Sequence, residues 1–495
     1  MRTTSLFARA TGWPERLAIA GPAGTATYGQ LLDASERRAR TLLGGRGDLA
    51  EARVVFLLPP GPGHVETQWS IWRAGGVAVP LSASQAPAEW DYVVSDCGAE
   101  IVVADESSAE LRTIATARGA TFVSAGSLQG GRRGAVTPPP VARDRRAMIL
   151  YTSGTTTRPK GVVTTHRNIE AQVATLVDAW GWTADDRVLH VLPLNHVHGI
   201  VNVLACALWA GAVCEFLSPF EPVAVWDRLA LGGITLFMAV PTIYARLLSA
   251  WEEAGEGVRA RWSAAARGLR LMVSGSAALP VPLLERWRAA TGHVLLERYG
   301  MTEIGMALSN PLTGARRPGA VGQPLPGVGV RLVDEHGAEV AEGTPGEIEV
   351  RGDSVFREYW GRPDATRDAF RDGWFRTGDV AVFEDGAYRI LGRLSVDIIK
   401  TGGYKVSALE IEDVLRQHPG VRDCAVVGVA DDEWGERVAA AVVARSGEGP
   451  SLEDLRAWAA RYLAKYKLPT RMRRVDDLPR NAMGKVVKAR VKELF

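Results

Sequence analysis

The sequence is poor in cysteine and carries no excess of either charge, and both shortages exclude classes of function. The four cysteines stand apart from one another, and no CxxC pair is present: Cys97, Cys206, Cys214 and Cys424. A disulfide framework or structural zinc site is therefore not expected, and a reducing cytoplasm is the predicted location. Lys plus Arg number 58 against 56 for Asp plus Glu. This balance gives no electrostatic reason to expect nucleic acid or an anionic membrane as a partner.

Long hydrophobic runs are also missing, so a membrane span is not expected. The longest apolar run, residues 199–217, is interrupted by Asn202 and Glu215. It predicts a buried helix followed by a strand, with Gly211-Ala212 between them. The first 21 residues include arginines but no sustained apolar core, so a transit peptide has weak support. At 495 residues the chain predicts two or more domains.

The pattern of apolar segments predicts an α/β fold class. In the first three-quarters of the chain, short β-branched runs alternate with longer amphipathic stretches, which is typical of layered α/β subdomains with parallel sheets. From Arg331 the segments become short, alternating and turn-bounded, which indicates a β-rich antiparallel subdomain. Beyond Gly392 the pattern is compact α+β. The predicted elements there are helices at 407–417 and 451–463 and strands at 423–429 and 437–444.

These changes of pattern predict two domains. The first is a large N-terminal domain of residues 1–391, and the second is a small C-terminal domain of residues 392–495. The hinge is placed near residues 393–397.

The strongest chemical motif is YTSGTTTRPKGVV at residues 151–163. It follows a predicted strand and places hydroxyl side chains around Gly154, ahead of Lys160. Such a loop suits phosphate groups, because hydroxyls and closely approaching backbone N–H groups donate hydrogen bonds and the lysine offsets charge. It is not a Walker A loop, since the GK[ST] ending is missing. A flexible polar loop is the simpler alternative, and the flanking strand and Pro159-Lys160-Gly161 favour the phosphate interpretation.

Four weaker motifs follow along the chain. LLERYGMTE at 295–303 combines an aromatic residue and a glycine, suited to a flat base, with Thr302 for a phosphate and Glu303 for a hard divalent cation. GWFRTGD at 373–379 places Asp379 after a predicted Thr-Gly turn, where it is positioned to accept hydrogen bonds from ribose hydroxyls. The other two are the Gly402-Gly403 pair near the start of the small domain and PRNAMGK, which ends at Lys485. Each alone has an ordinary structural explanation.

Taken together, the order and spacing of these motifs resemble the acyl-adenylate-forming superfamily. That superfamily includes acyl-CoA synthetases, peptide-synthetase adenylation domains and beetle luciferases, and the resemblance covers essentially the whole chain. It implies ATP, Mg²⁺ and coenzyme A as cofactor and co-substrates, an acyl-adenylate intermediate and a mobile C-terminal domain. Two departures stand out. Thr157 occupies a position where the family usually has glycine, and the hinge is one residue longer than in many relatives, which leaves the pivot open between Ser395 and Asp397.

The resemblance implies a role for each matched residue. Glu303 is expected to ligate Mg²⁺ and Lys485 to bridge the carboxylate and the α-phosphate, with Thr302 and His196 as further catalytic residues. Asp379 is expected to hold the ribose, and Gly402-Gly403 to line a tunnel for the pantetheine thiol. The full set expected to bind the nucleotide and coenzyme A is Thr152, Ser153, Gly154, Thr155, Thr156, Lys160, Gly275, Ser276, Ala277, Glu297, Tyr299, Gly300, Met301, Asp379, Arg393, Lys400, Gly402 and Gly403.

The segment PLNHVHG at 193–199 matches the one that shapes the acyl pocket in this superfamily. His196 resembles a gating histidine, and His198 is expected to face the acyl group. Amino-acid-activating domains usually place an aspartate here to bind the ammonium group, and this segment has none. A histidine near proline and glycine is more often structural, so both roles rest on the resemblance.

Arg298 points to the acid that the pocket accepts. Pockets for fatty or aromatic acids have a small residue before the tyrosine of this motif, whereas here it is Arg298. A buried guanidinium without an anion is costly, and the natural anion is a second carboxylate on the substrate. Together with TGGYKVSA in the hinge region, this resembles malonyl-CoA synthetases, with Arg246, Ser274 and Met306 as further pocket residues. The alternative is that Arg298 pairs with Glu297 or another protein carboxylate.

Other functions remain open on the sequence alone. They are an acyl-CoA synthetase for another short carboxylic acid, an adenylating enzyme that loads a carrier protein, and a non-catalytic nucleotide-binding protein. The last would require loss of Lys485 or Glu303, and both are present. The sequence does not decide between malonate and methylmalonate, or the oligomeric state. No obligate protein partner is expected.

Overall fold

The computed structural model describes residues 5–130, 137–152, 158–401, 404–431, 433–447, 449–480 and 484–495. Up to residue 310 the strands are β1 Leu17–Ala20, β2 Ala26–Thr27, β3 Arg53–Leu57, β4 Val77–Pro80, β5 Ile101–Ala104, β6 Thr121–Ser124, β7 Arg146–Thr152, β8 Lys160–Thr165, β9 Arg187–His190, β10 Val213–Phe216, β11 Leu236–Ala239, β12 Leu271–Ser274, β13 Leu296–Met301 and β14 Gly305–Ser309.

The helices of the same region are α1 Ser5–Ala10, α2 Tyr28–Leu43, α3 Pro62–Arg73, α4 Pro87–Asp96, α5 Ala109–Ala117, α6 His166–Ala179, α7 Cys206–Ala210, α8 Pro222–Ala230, α9 Pro241–Glu253, α10 Glu256–Arg267 and α11 Val281–Thr291. The same region also contains a 3₁₀ turn at Ser127–Gly130 and a π-helix at His198–Ala205. The apolar run at 199–217 is a buried helix that ends at Gly211 and continues into β10, as predicted.

The remaining strands are β15 Gln323–Pro324, β16 Gly329–Val333, β17 Gly346–Arg351, β18 Glu358–Tyr359, β19 Phe370–Arg371, β20 Trp374–Glu384, β21 Ala387–Arg393, β22 Ile398–Thr401, β23 Tyr404–Ser407, β24 Val421–Asp431, β25 Gly435–Ala444 and β26 Arg471–Arg474. The remaining helices are α12 Pro363–Asp368, α13 Ala408–Arg416, α14 Leu452–Ala459 and α15 Lys488–Lys492, with a 3₁₀ turn at Lys465–Lys467.

Two large sheets carry most of the first 310 residues. One has nine strands in the order β15-β14-β13-β12-β11-β9-β10-β1-β2, and the other has seven in the order β18-β8-β7-β4-β3-β5-β6. Strands β9 to β13 of the first sheet pair in parallel where they are neighbours. Every residue of β11 and β12 is buried, which explains why these strands are continuous apolar runs rather than alternating ones.

The rest of the described chain forms two further five-stranded sheets. The first, β16-β17-β20-β19 with β21 on β20, is antiparallel throughout. The second, β23-β22-β25-β24 with β26 on β25, packs with α13 and α14 around its own apolar cluster. The α/β fold class with a β-rich subdomain and a smaller α+β unit is confirmed. The boundary at residue 391 and the hinge at 393–397 stay predictions.

One expected turn is instead part of a strand. Thr377 and Gly378 lie inside β20, which is continuous from Trp374 to Glu384. The register against β17 shifts between Glu347 and Glu349, so extra residues of β20 bulge outwards. Gly378 has a φ of 72°, a left-handed conformation that glycine adopts without steric cost. The Thr377-Gly378 pair, which predicted a turn, therefore marks a β-bulge.

In the part of the chain that the structure covers, none of the helices combines the length and the apolar character needed to cross a membrane.

Candidate active site

The carboxyl ends of four neighbouring parallel strands meet at one edge of the nine-stranded sheet. In open α/β sheets, ligands bind outside this edge. Strand β9 leads to the segment with His196 and His198, β11 leads to Val240-Pro241-Thr242, β12 leads to Gly275, and β13 carries Arg298 near its middle. The topology therefore brings together residues that lie far apart in the sequence.

Arg298 is buried at this edge, and no carboxylate of the described residues pairs with it. The residue is 3% exposed, and its guanidinium donates one hydrogen bond to another described side chain, from Nη2 to Ser276 Oγ at 3.3 Å. Its Nε has no partner in that part of the chain. Burial lowers the pKa of Arg298 to about 9, so the guanidinium remains mostly charged at neutral pH. A buried polar group of this kind requires a ligand or water to satisfy it.

The structure does not show the alternative pairing of Arg298 with Glu297. Consecutive residues of a strand point to opposite faces, and the Glu297 carboxylate accepts a hydrogen bond from the backbone N–H of Leu279 instead, at 3.3 Å. Burial raises the pKa of Glu297 to about 8, the Leu279 hydrogen bond opposes this, and Asp413 of α13 adds to it. Helix α13 of the small α+β unit, which carries Asp413, packs against α11, the helix that follows β12.

Gly275 has no side chain and therefore leaves room for the Arg298 guanidinium. Gly275 follows Ser274, which pairs with Glu297 across β12 and β13, so Gly275 lies next to Arg298. A Cβ added to Gly275 would lie 2.5 Å from Arg298 Cζ, closer than non-bonded carbons approach. Gly300 has a similar constraint, since an added Cβ there would lie 2.5 Å from Met306 Cε. Both glycines therefore have a packing reason to lack a side chain.

The histidine segment is held by a third histidine that the sequence did not single out. His190, at the end of β9, accepts a hydrogen bond at Nδ1 from the Leu192 N–H at 3.2 Å, and its Nε2 lies 3.0 Å from the carbonyl oxygen of Gly199. Since Nδ1 accepts, Nε2 carries the proton and donates. An added Cβ on Gly199 would lie 2.2 Å from the Pro193 carbonyl oxygen, so only glycine fits this tight entry into the π-helix.

Both pocket histidines are expected to be neutral. Burial lowers the pKa of His196 to about 4. The pKa of His198 is lowered well below its usual value, chiefly by burial and then by the charge of Arg298. His198 Nδ1 lies 3.2 Å from Ser276 Oγ. Ser274 Oγ is also buried and without a partner among the described residues.

A second group of residues surrounds Asp379 in β20. Asp379 Oδ2 accepts a hydrogen bond from the Tyr299 hydroxyl at 2.7 Å, and Oδ1 accepts one from Arg393 Nε at 2.9 Å. Burial by itself lowers the pKa of Arg393, but the carboxylate of Asp379 outweighs it and the pKa is raised. A carboxylate has about four acceptor sites, so two sites remain for hydroxyl groups of a sugar.

If Asp379 holds the ribose, as the family resemblance implies, Asp379→Ala should raise the KM for ATP by about tenfold or more, because a charge-assisted contact to the sugar would be lost. The check is the ATP dependence of the steady-state rate at saturating acid. Asp364→Ala is the matched control, because Asp364 lies in α12 with a side chain that is 81% exposed. An ATP dependence equal to that of the control would show that Asp379 does not hold the ribose.

Glu303 is the carboxylate that the family resemblance assigns to a divalent cation. It is buried, and its Oε1 accepts a hydrogen bond from the Tyr359 hydroxyl at 3.0 Å. Burial raises its pKa, which a cation would oppose. Lys160 Nζ lies 4.9 Å from the centroid of the Tyr359 ring. The lysine of the predicted phosphate loop therefore lies near the tyrosine that contacts Glu303. Mg²⁺ commonly binds one or two carboxylates together with substrate phosphates, and Glu303 fits such a site.

Several predicted residues are not joined to this site by a described contact. Arg246 lies in α9 with its guanidinium 4.7 Å above the Phe220 ring. Lys400 is exposed on β22, where its backbone N–H donates to Glu436. Thr152 ends β7, and its hydroxyl lies 3.5 Å from the Lys160 carbonyl oxygen. The predictions for Ser153, Gly154, Thr155, Thr156, Gly402 and Gly403 concern positions outside the described residues, as does the remark on Thr157.

The C-terminal loop reaches the same edge of the sheet. An added Cβ on Gly484 would lie 3.4 Å from Thr242 Oγ1, so the residue before Lys485 lies close to the first turn of α9, the helix that follows β11. Asp397, in the predicted hinge, contacts both Arg393 and α15. Its Oδ2 accepts a hydrogen bond from the Arg393 N–H at 3.0 Å, and its Oδ1 lies 3.3 Å from Lys488 Nζ.

Sequence reasoning missed three further contacts. Tyr359 touches Glu303, His190 holds Gly199, and Tyr404 stacks on Tyr466 with ring centroids 4.2 Å apart. Each joins segments that no local motif connects. Tyr404 alone carried a signal, since it is an exposed aromatic residue directly after Gly402-Gly403.

Comparison with known proteins adds two family matches. The model described as AMP-binding enzyme matches residues 6–360, and the model described as AMP-binding enzyme C-terminal domain matches residues 410–485. The chain is 48% identical to "Malonate--CoA ligase ACSF3, mitochondrial" of Mus musculus over 530 aligned positions, which cover 99% of this chain and 90% of that protein.

Two solved structures are also similar. ATP-bound MatB from Rhodopseudomonas palustris has a TM-score of 0.91 at 38% identity, with 100% of this chain and 99% of that chain covered. A malonyl-CoA ligase ternary product complex with methylmalonyl-CoA and AMP has a TM-score of 0.70 at 38% identity, with 96% and 100% covered. At equal identity, the overall arrangement of the chain is closer to the ATP-bound structure.

Proposed function

The chain belongs to the AMP-binding enzyme family, and from that premise we propose that it is a malonate–CoA ligase that forms AMP. In the first half-reaction a carboxylate oxygen of malonate attacks the α-phosphorus of ATP, and the bond to the departing pyrophosphate breaks. In the second, the thiol sulfur of coenzyme A attacks the acyl carbon of malonyl-adenylate, and AMP leaves. The products are malonyl-CoA, AMP and pyrophosphate.

The observation that carries the proposal is the buried guanidinium of Arg298 with no carboxylate partner among the described residues. Malonate has one carboxylate to be activated and a second that satisfies this charge. A monocarboxylic acid would leave the guanidinium desolvated and unpaired, which is the kind of penalty that gives polar pockets strong selectivity. The named activities of the relatives fit this chemistry.

The roles of the other residues are part of the same proposal. Asp379, supported by Tyr299 and Arg393, holds the ribose, and the wall from Gly275 to Ala277 faces the adenine. Lys485 contacts the carboxylate and α-phosphate and stabilises charge in the displacement. Glu303, whose Oε1 accepts a hydrogen bond from the Tyr359 hydroxyl, would hold Mg²⁺, and the ion would neutralise phosphate charge. Tyr404 and Tyr466, an exposed stacked pair beside Gly402-Gly403, provide a flat surface for the coenzyme A adenine.

A change in domain arrangement between the half-reactions is also proposed. It is supported by the lower TM-score for the complex with methylmalonyl-CoA and AMP than for the ATP-bound structure. Residues 1–391 and 392–495 are the proposed domains, with the pivot at Ser395 or Asp397.

A reducing compartment is the proposed location, with the cytoplasm as the first expectation. All four cysteines are free and buried, which fits such a compartment. The mouse relative is named as mitochondrial, and the matrix is also reducing.

The test is a panel of malonate, methylmalonate, succinate, acetate, butyrate and benzoate with ATP, Mg²⁺ and coenzyme A, read as AMP release. We expect the highest kcat/KM with malonate and about 10²-fold lower values with acetate and butyrate. Replacing coenzyme A by a phosphopantetheine-bearing carrier protein tests the acceptor. Preference for fatty or aromatic acids would remove malonate from the proposal and leave a general acyl-CoA synthetase.

A further inference from the structure

A cluster of four side chains contacts both ends of the phosphate motif at residues 151–163. Its members are Tyr92 and Asp96 of α4, Tyr151 of β7, and Arg362, the residue before α12. Asp96 Oδ2 accepts a hydrogen bond from the Tyr151 hydroxyl, and Oδ1 accepts one from Arg362 Nη2, both at 2.8 Å. The Asp96 side chain is 16% exposed. Three segments that are far apart in the sequence therefore meet at one largely buried carboxylate.

The second tyrosine of the cluster reaches the other end of the motif. The Tyr92 hydroxyl lies 2.7 Å from the carbonyl oxygen of Pro159 and 3.3 Å from Arg362 Nη2. A carbonyl oxygen can only accept and a guanidinium can only donate. The single hydroxyl hydrogen of Tyr92 therefore goes to Pro159, while its oxygen accepts from Arg362. The hydroxyl lies further from Asp96 Oδ1, at 3.3 Å, so the carboxylate is held mainly by Tyr151 and Arg362.

These hydrogen bonds act on the two residues that flank the central part of the motif. Strands β7 and β8 are antiparallel, and Thr152 at the end of β7 pairs with Lys160 at the start of β8. Tyr151 directly precedes Thr152, and Pro159 directly precedes Lys160. The cluster therefore fixes the backbone next to Lys160, the residue expected to offset phosphate charge.

Arg362 connects the same cluster to the proposed magnesium position. Its backbone N–H donates to the carbonyl oxygen of Tyr359 at 3.1 Å. The hydroxyl of Tyr359 donates to Glu303, and its ring lies under Lys160 Nζ. Asp96 is thus connected to Lys160 by two routes, one along the motif and one through Tyr359.

Asp91, on the same helix, shows what an ordinary ion pair looks like here. Its Oδ1 accepts from Arg118 Nε at 2.8 Å, and the two side chains are 36% and 44% exposed. Exposed pairs of this kind contribute little to stability, and the described contacts of this pair do not reach the phosphate motif. Asp91 is therefore a matched control for Asp96, with the same helix, the same acid and the same type of partner.

We infer that Asp96 is a positioning residue for the β- and γ-phosphates of ATP, because its cluster holds both ends of the phosphate motif and with them Lys160. It acts through these neighbours and does not itself touch the nucleotide. The inference rests on the ATP site of the proposed function and concerns the phosphates rather than the acid. AMP lacks the β- and γ-phosphates, so its binding should not depend on Asp96.

The first test is equilibrium binding of ATP and AMP by calorimetry, with Mg²⁺ and without any acid, so that ATP is not consumed. For Asp96→Ala we expect the Kd for ATP to rise about tenfold and that for AMP to change by less than about twofold. The ratio of the two constants cancels general damage to the nucleotide site. Asp91→Ala should leave both constants unchanged. Equal weakening of ATP and AMP, or unchanged ATP binding, overturns the inference.

A conservative variant keeps the test informative if Asp96→Ala folds poorly. Tyr151→Phe removes only the hydroxyl that Asp96 accepts from, and we expect it to raise the Kd for ATP by about threefold with AMP unaffected. In the background of Asp96→Ala, Tyr151→Phe should add almost nothing, because the two changes break the same contact. Fully additive effects on ATP binding would show that the two residues act independently, which also overturns the inference.

The second test compares the two half-reactions in Asp96→Ala. We expect kcat/KM for ATP in malonate-dependent pyrophosphate exchange to fall about tenfold, whereas thioester formation from supplied malonyl-adenylate, which involves no pyrophosphate, should be retained. Equal losses in both half-reactions would mean a structural role and overturn the inference. A wild type that prefers another acid, with the ATP-over-AMP effect intact, overturns the malonate proposal alone, so the two failures are distinguishable.

Discussion

Lys485→Ala should lower the rate of malonyl-adenylate formation by about 10²-fold or more, while thioester formation from supplied malonyl-adenylate is largely retained. The reason is that the lysine is expected to act in only one half-reaction. Gly484, the residue before Lys485, lies close to Thr242 at the start of α9, which follows β11, the neighbour of the strand that carries Ser274. This placement supports the proposal that Lys485 acts at the acyl pocket, where its charge is expected to stabilise the displacement at the α-phosphorus.

The two half-reactions are measured separately. Malonate-dependent exchange of pyrophosphate into ATP reports the first, and conversion of synthetic malonyl-adenylate with coenzyme A reports the second. Lys492→Ala is the matched control, because Lys492 is on α15 only a few residues further along and its side chain is 50% exposed. Equal losses in both half-reactions would contradict a lysine that leaves the site between them.

Arg298→Gly should reverse the acid preference, lowering the ratio of kcat/KM for malonate over butyrate by about 10²-fold or more. In the wild type the second carboxylate of malonate meets a guanidinium that is 3% exposed and otherwise bonded only to a hydroxyl among the described residues. Without the arginine, malonate loses this partner and keeps its own desolvation cost. Butyrate gains the vacated volume for its alkyl chain.

Arg298→Lys separates charge from geometry. Lysine keeps the positive charge but lacks the planar fork that matches a carboxylate with two hydrogen bonds. We expect an intermediate ratio, with malonate still preferred over butyrate. Met306, which packs against Gly300, should affect the size of the accepted tail rather than its charge. If Arg298→Gly keeps the malonate preference, the anion that satisfies the guanidinium is not the substrate.

Much of the fold could be predicted from local pattern. Strands β5 and β12 coincide with two short apolar runs of the sequence, IVVA at residues 101–104 and LMVS at residues 271–274, and every residue of both strands is buried. The conformation at Asp379 could not be predicted, because a bulge and a turn share the same Thr-Gly signal. What separates them is the pairing with β17, which is set by residues far away in the chain.

The sequence predicted the motifs that form the site, but it did not predict the contacts between them. Arg298 was identified as unusual from its position before Tyr299, because a charge in an otherwise small-residue position needs an explanation. That it lacks a carboxylate partner within the described chain depends on the opposite facing of Glu297 and on the sheet order, which only the structure gives. The contact between Ser276 and His198, which are 78 residues apart, is likewise visible only in the structure.

The lack of space above Gly275 restricts the order in which the acid preference of this enzyme can evolve. With the guanidinium in place, any side chain at position 275 would collide with it, since even a Cβ would lie 2.5 Å from Cζ. A side chain at position 275 would therefore displace the guanidinium unless Arg298 has first become small. A lineage that loses the arginine first and reshapes the floor of the pocket second passes through an intermediate with a wide pocket and weak discrimination between acids.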